Sequence, residues 1–169
     1  MEVSHPLPVH LSVSIVLHNS SEELLQRALH SLHRSAGVAQ QAGCLGRVSV
    51  SVVDNSADRV YQQQIVGMLA AGPQCDFFRV HYSAQPLNRG FGPGHNSVIQ
   101  SLDSDFHLVL NPDAELEVDT LCNGLSCINQ DDSIVNAEVR HFVFYLSYIF
   151  NIREIGHSLR CLDEAYDIN

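Results

Sequence analysis

The sequence predicts an α/β domain whose mostly parallel sheet carries helices on both faces. Three observations predict it. Short apolar, strand-like runs recur at residues 11–17, 48–53, 78–82 and 106–110; helical stretches separate them; and polar segments bearing glycine or proline follow the strand ends. Strands alternating with helices at this spacing require crossover connections, which lay helices against the sheet. With 169 residues and 45% apolar content, the chain is long enough for one domain with a real core.

Each element has a local reason. Residues 11–17 alternate and then run apolar, which suits a buried strand, and the run stops at His18-Asn19. Ser20-Ser21-Glu22-Glu23 reads as a capping box, with Ser20 as N-cap and Glu23 three residues later. Leu24, Leu25, Ala28, Leu29 and Leu32 then share one face of a helix. Residues 36–46 are small and polar, with Gly37 and Gly43 among them, and read as a loop. The second strand, 48–53, ends at Asp54. A helix follows over about 58–70, then a Gly72-Pro73 break, then a third strand with Phe78, Val80 and Tyr82 on one side. The segment Asn88-Arg89-Gly90-Phe91-Gly92-Pro93-Gly94-His95-Asn96 leads into a helix that passes through Val98 and Ile99 to Leu102. Residues 106–110 form the fourth strand, with Asn111-Pro112-Asp113 at its end.

Composition removes several function classes. The formal charge of -10 disfavours a nucleic-acid or anionic-membrane surface as the main partner, since such surfaces reward clustered cations. All nine basic residues are Arg. Without Lys there is no P-loop, no protein-kinase third-strand lysine and no pyridoxal Schiff base. The absence of Trp removes the best stacking platform for a sugar or base. Cys44, Cys75, Cys122, Cys127 and Cys161 match no zinc or redox spacing and read as free thiols of a reducing compartment. His30 and His33 are at helical spacing and read as a solvated face. The N-terminus has no basic region leading into an apolar stretch, which predicts a cytoplasmic protein.

In sheets of this class ligands bind outside the carboxyl ends of the strands. His18-Asn19, Asp54, the Asn88 to Asn96 segment and Asp113 all follow strand ends, so they are expected on one rim. A glycine-rich turn feeding a helix offers backbone N–H groups and a positive dipole end to an anion. A carboxylate just past a strand end can hold a divalent cation beside it. Together they point to a metal-bound diphosphate. Taken singly, Asp54 reads equally as a turn residue, Asp58 as a helix cap, Phe91 as core and His95 as a helix-start residue.

In this order, Val13-Ser14-Ile15-Val16-Leu17-His18-Asn19, Val52-Val53-Asp54-Asn55-Ser56, the Asn88 to Asn96 segment and Leu110-Asn111-Pro112-Asp113 resemble the nucleotide-binding half of family 2 glycosyltransferases. The similarity is greatest to the branch that includes bacterial rhamnosyltransferases of surface-polysaccharide assembly. It implies a GT-A fold, a Rossmann-like sheet, a nucleotide-diphosphate-sugar donor, Mg²⁺ or Mn²⁺, and inverting transfer to a polysaccharide or lipid-linked acceptor. Carried over by position, His18 and Asn19 line the nucleoside pocket and Asp54 accepts hydrogen bonds from nucleobase or ribose. Asn88, Arg89, Gly90, Phe91 and Gly92 pack along the donor, and Asn96 holds that loop on its helix. Asp113 is the metal-binding carboxylate, with Asn111 replacing the first Asp of the family's Asp-x-Asp. Glu115 is a weaker second candidate.

The resemblance runs from about Val13 to Leu125 and fades near 136. It therefore implies a donor-binding domain over 1–135, a divergent tail over 136–169 and a truncated acceptor half. The family's catalytic base lies further downstream, and the surroundings of Asp163-Glu164 and Asp167 do not match its motif. The apolar run from Phe142 to Phe150 is too short for a bilayer span, which needs about 20 residues. It reads as a buried element of the same domain, as a patch pairing two copies or touching a membrane's inner face, or as a change of frame. Two functions follow: a glycosyltransferase, or a catalytically weak nucleotide-sugar-binding module.

Overall fold

The computed structural model describes residues 8–99, 101–128, 135–137 and 147–151. In chain order these form β1 (Val9–Leu17), α1 (Glu22–Gln41), β2 (Leu45–Asp54), α2 (Arg59–Ala71), β3 (Phe78–Ala84), α3 (Phe91–Ile99), β4 (Phe106–Val109), α4 (Thr120–Ile128), β5 (Val135–Ala137) and β6 (Ser147–Asn151). The sheet order is β3-β2-β1-β4-β6-β5. β3, β2, β1 and β4 run parallel, while β6 is antiparallel to both β4 and β5.

This order creates a topological switch point. From β1 the chain winds outward to β2 and β3, then crosses back to place β4 on the other side of β1. A right-handed crossover in the reversed direction must use the opposite face of the sheet. Accordingly α1 packs with α2 and α4 on one face, and α3 lies against β1 and β2 on the other. The crevice between β1 and β4 is where such sheets bind ligands.

The main core lies on the α1 side. Leu11, Val13, Ile15 and Leu17 of β1 meet Leu25, Leu29 and Leu32 of α1, with Leu108, Leu110, Leu121 and Leu125 closing the cluster. Alternation along a strand sends Ser12 and Ser14 of β1 to the α3 side.

Several boundaries differ from the sequence-based reading: Leu102 lies past the end of α3, β2 begins at Leu45 inside the segment that reads as loop, and both ends of α1 shift. Ser21, one residue later than expected, caps α1, its hydroxyl accepting from Leu24 N–H at 3.4 Å. The helix then continues through 36–41, which had read as loop. Ala36 and Ala39 are buried against the core, so their small side chains serve close packing. Gly37 faces open space and does not obstruct the helix. The true stop is Gly43, at φ +77, a conformation that favours glycine. Asp58 caps α2 through hydrogen bonds from Val60 N–H at 2.8 Å and Tyr61 N–H at 3.1 Å.

Residues 147–151 of the apolar run are strand β6, paired with β4. Its aromatic residues 142–145, and Asp163, Glu164 and Asp167, lie outside the described residues. Among the described residues no helix is long and apolar enough to cross a membrane.

Candidate functional site

The rim is assembled from three strand ends stitched together by backbone geometry. β1 ends in His18 and Asn19, both exposed. Asn19 takes φ 50, which Asn tolerates better than most residues, and its N–H donates to Ser56 Oγ at 2.8 Å. Asn55 N–H donates to Leu17 C=O at 2.9 Å, so β1 and β2 remain joined past the sheet. Tyr61 of α2 adds a hydrogen bond from its hydroxyl to Ser20 C=O at 2.9 Å.

Asp54 sits beneath this rim. It is 0% exposed. One carboxylate oxygen accepts from Ser56 N–H at 2.8 Å and the other from the Tyr82 hydroxyl at 2.6 Å. Burial first, and then donation to this carboxylate, push the Tyr82 phenol above its ordinary range. As folded, Asp54 orients a turn and a tyrosine, and each of its carboxylate oxygens already accepts a hydrogen bond. Tyr82 also borders an open groove of about 440 Å³ with Arg59, Gln62, Gln63 and Val66 of α2.

The glycine-rich loop is held from both sides. Asn88 Oδ1 accepts from Gly90 N–H at 2.8 Å, an Asx-type turn, and Gly90 takes φ +92. Asn55 Nδ2 donates to Gly90 C=O at 2.9 Å. Further on, a Cβ on Gly94 would lie 2.8 Å from a Val16 methyl, so glycine here lets α3 rest directly on β1. Asn88 Nδ2 stands 3.5 Å from both ring nitrogens of His18, which brings the loop beside the β1 end without a proper hydrogen bond. Arg89 is exposed, and Phe91 and Gly92 are half-buried at the start of α3.

Asn96 Oδ1 is buried with no hydrogen-bond partner among the described residues, and the hydrogen bonds that hold the loop come from Asn55 and Asn88.

Beneath the loop runs a buried polar chain. Ser12 Oγ lies 2.7 Å from Ser104 Oγ and 2.7 Å from His107 Nδ1. Ser14 Oγ lies 2.8 Å from His107 Nε2 and 2.6 Å from His95 Nδ1. A hydroxyl has one hydrogen, so Ser14 donates to one imidazole and accepts from the other, and the two tautomers are correlated. Burial pushes the His107 ring down to about 4 and, with His107 beside it, the His95 ring to about 3. Both are neutral at pH 7. Phe91 closes over His95 edge-on, ring centroids 4.3 Å apart. The serine positions of β1 were a signal in the sequence, since two polar residues at period two inside a buried strand require partners. Asn55, Tyr82, Ser14 and His107 were nonetheless missed.

On the other side of β1, Leu110 N–H donates to Ser14 C=O at 3.0 Å, and Asn111 follows as the chain leaves the sheet. Asn111 is buried and Asp113 exposed. Glu115 is engaged elsewhere: it pairs with Arg27 of α1, whose Nε donates to it at 2.7 Å. To serve as a second metal ligand it would have to give up that pair. Among the described residues there is no group of three or more His, Cys, Asp or Glu able to enclose a metal. Among the described residues, the exposed carboxylate at this strand end with no ion pair is Asp113. That fits a cation that brings most of its oxygen ligands with it, as Mg²⁺ and Mn²⁺ do on a diphosphate.

Comparison with known proteins agrees with this architecture. The chain resembles in fold the mannosyltransferase PcManGT from Pyrobaculum calidifontis, solved in complex with GDP-Man and Mn²⁺, at TM-score 0.57 and 16% identity. That likeness covers 72% of this chain and 32% of the other. It also resembles S. aureus TarS 1-349, solved alone and in complex with UDP, at TM-score 0.62 and 18% identity, covering 87% of this chain and 48% of TarS 1-349. The chain thus spans between a third and a half of these structures. No curated protein matches it by sequence. The family model described as glycosyl transferase family 2 matches residues 12–154, most of the chain and all of the rim, and the protein belongs to that family.

Proposed function

We propose that the rim binds a nucleotide-diphosphate sugar with Mg²⁺ or Mn²⁺ and that the protein serves in transfer of the sugar, with inversion, to a saccharide or lipid-linked acceptor. One observation carries this reading. On a chain of family 2, the β1–β4 switch point gathers His18-Asn19, the Asn88–Gly90 turn and Asn111-Pro112-Asp113 at neighbouring strand ends. The GDP-Man and Mn²⁺ of one similar structure and the UDP of another support the donor and cation classes. The Asn-Pro-Asp form favours the rhamnosyltransferase-like branch and surface-polysaccharide assembly at the inner membrane face.

The chemistry assigns distinct parts to these residues. As the sugar leaves, positive charge grows on the anomeric carbon and negative charge on the diphosphate. When bound, the cation offsets that negative charge as a Lewis acid. Asp113 would hold the cation, and the exposed Arg89 would add a charge-assisted contact to phosphate. Gly90 and Gly92 allow close backbone approach, while Asn55 and Asn88 keep the loop in shape before the donor arrives. The nucleoside end would lie against His18 and Asn19, with Asp54 acting through Tyr82.

A second reading is a donor-binding module without transfer of its own. One experiment separates the two. The protein is titrated with UDP, GDP and dTDP, with and without Mn²⁺, and diphosphate release is followed from the matching sugar donors with an acceptor panel. Metal-dependent binding that Asp113→Ala abolishes, with turnover, supports the transferase. Binding without turnover leaves the module. No nucleotide binding with either metal overturns both.

A further inference from the structure

The stretch behind Asp113 is fastened to α1 by a series of contacts. Arg27 pairs with Glu115; Ser31 Oγ accepts from Leu116 N–H at 3.0 Å; Ser35 Oγ accepts from Leu121 N–H at 3.0 Å. Positions 27, 31 and 35 recur every four residues, so they form one stripe along the helix. Ser31 and Ser35 are fully buried, and the strand-to-helix connection from 115 to 121 lies along that stripe. Just past the end of α1 stands Cys44, and opposite it, in the first turn of α4, is Cys122. Their sulfurs are 3.9 Å apart, although 78 positions separate them in sequence.

We propose that Cys44 and Cys122 form a disulfide when the protein meets a disulfide oxidant, completing this fastening with a covalent bond. A bonded pair of sulfurs sits about 2.05 Å apart, so the closure required is of the size that side-chain rotation provides. Both residues are half-buried, which gives a small disulfide such as oxidised glutathione partial access. The Cys122 thiolate attacks one glutathione sulfur, forming a mixed disulfide and releasing one glutathione thiolate. Cys44, as thiolate, then attacks the Cys122 sulfur, forming the protein disulfide and releasing the second. Two protein thiols lose two electrons and two protons, and one glutathione disulfide becomes two glutathione thiols. Burial raises the Cys44 thiol above its usual range, and its S–H donates to Ala39 C=O at 3.1 Å. A thiol kept protonated in this way is slow toward external oxidants, so the first attack falls to Cys122.

Cys75 is excluded as the partner by position. It is exposed at the α2–β3 connection, beside His33 with Nε2 3.8 Å from its sulfur. The proposal is independent of any sugar-transfer activity, since it concerns only the packing of α1 against the connection and α4.

The test uses the full chain equilibrated in glutathione buffers of graded redox ratio, digested without reduction and analysed by mass spectrometry. The expected product is a linked peptide pair carrying Cys44 and Cys122, with the mass of two hydrogens lost and restored by dithiothreitol. The oxidised form should melt about 5 °C or more higher, because the bridge restricts the unfolded chain. Cys44→Ser should leave Cys122 as a stable glutathione adduct. Persistent glutathione adducts on wild-type Cys44 or Cys122, or predominant pairing of either with another cysteine, would overturn the proposal. The wild-type peptide map decides the matter even if the variant does not fold.

Discussion

The two faces of one sheet are built on opposite principles. On the α1 face, Leu11, Val13, Ile15 and Leu17 enter an apolar cluster, and the buried hydroxyls beside it, Ser31 and Ser35, bond to backbone groups. On the α3 face the intervening β1 positions are Val16, under Gly94, and Ser12 and Ser14, bonded to His107 and His95. An apolar contact is tolerant of direction, whereas a buried hydroxyl between two imidazoles accepts few arrangements. The first face therefore supplies stability, and the second fixes where α3, and with it the glycine-rich loop, sits on β1.

The largest effect should come from the apolar face. Leu32→Ala removes a fully buried side chain and should cost about 2–5 kcal/mol in denaturant unfolding, with little dependence on pH. Ser14→Ala should cost less, about 1–3 kcal/mol, by leaving a nitrogen of each imidazole without its partner. It should also loosen α3, seen as faster amide exchange over 91–99. If Ser14→Ala is neutral, the polar face is ordinary packing and the comparison fails.

Acid should sharpen the contrast. Folded His95 and His107 titrate near about 3 and 4, far below the ~6.5 of an unfolded histidine. Between those values the unfolded chain binds more protons, so acid favours unfolding. The contribution is fully present above pH ~6.5 and is lost as pH falls through 6 and 5 toward 4. Each histidine should add a slope of up to about 1.4 kcal/mol per pH unit. His107→Leu should flatten the unfolding profile in that window, and an unchanged profile would show that the pair does not titrate on unfolding. The smallest stability effect belongs to the rim: Asp113→Ala should shift unfolding by no more than about 0.5 kcal/mol, because the side chain is exposed. A large loss would mean that Asp113 is structural and not held free for a ligand.

Much of this was legible before the structure. The strands over 11–17, 48–53 and 106–110 announced themselves by period and by what ended them, and all four parallel strands appear. The loop over 36–41 did not, because small residues such as Ala36 and Ala39 look like linker until a close-packed neighbour gives them a reason to be helical. At the rim, the strand-end residues were readable as a set from their order. That Asn55 holds the loop was not, because only the end of β2 brings its side chain within hydrogen-bond reach of Gly90 C=O. Glu115 looked available beside Asp113 until Arg27, 88 positions away, was found against it.

By itself the sequence determined the alternation of strands and helices, the absence of lysine chemistry, and the strand-end location of the polar motifs. These follow from periodicity, composition and turn chemistry, which act within a few residues. Only the tertiary structure decided that Asp54 is buried and bonded to Tyr82, that Ser12, Ser14, His95 and His107 join in one chain, and that Cys44 meets Cys122. Each depends on which strands and helices become neighbours. That is set by crossover handedness and burial of the whole sheet, and no local pattern encodes it.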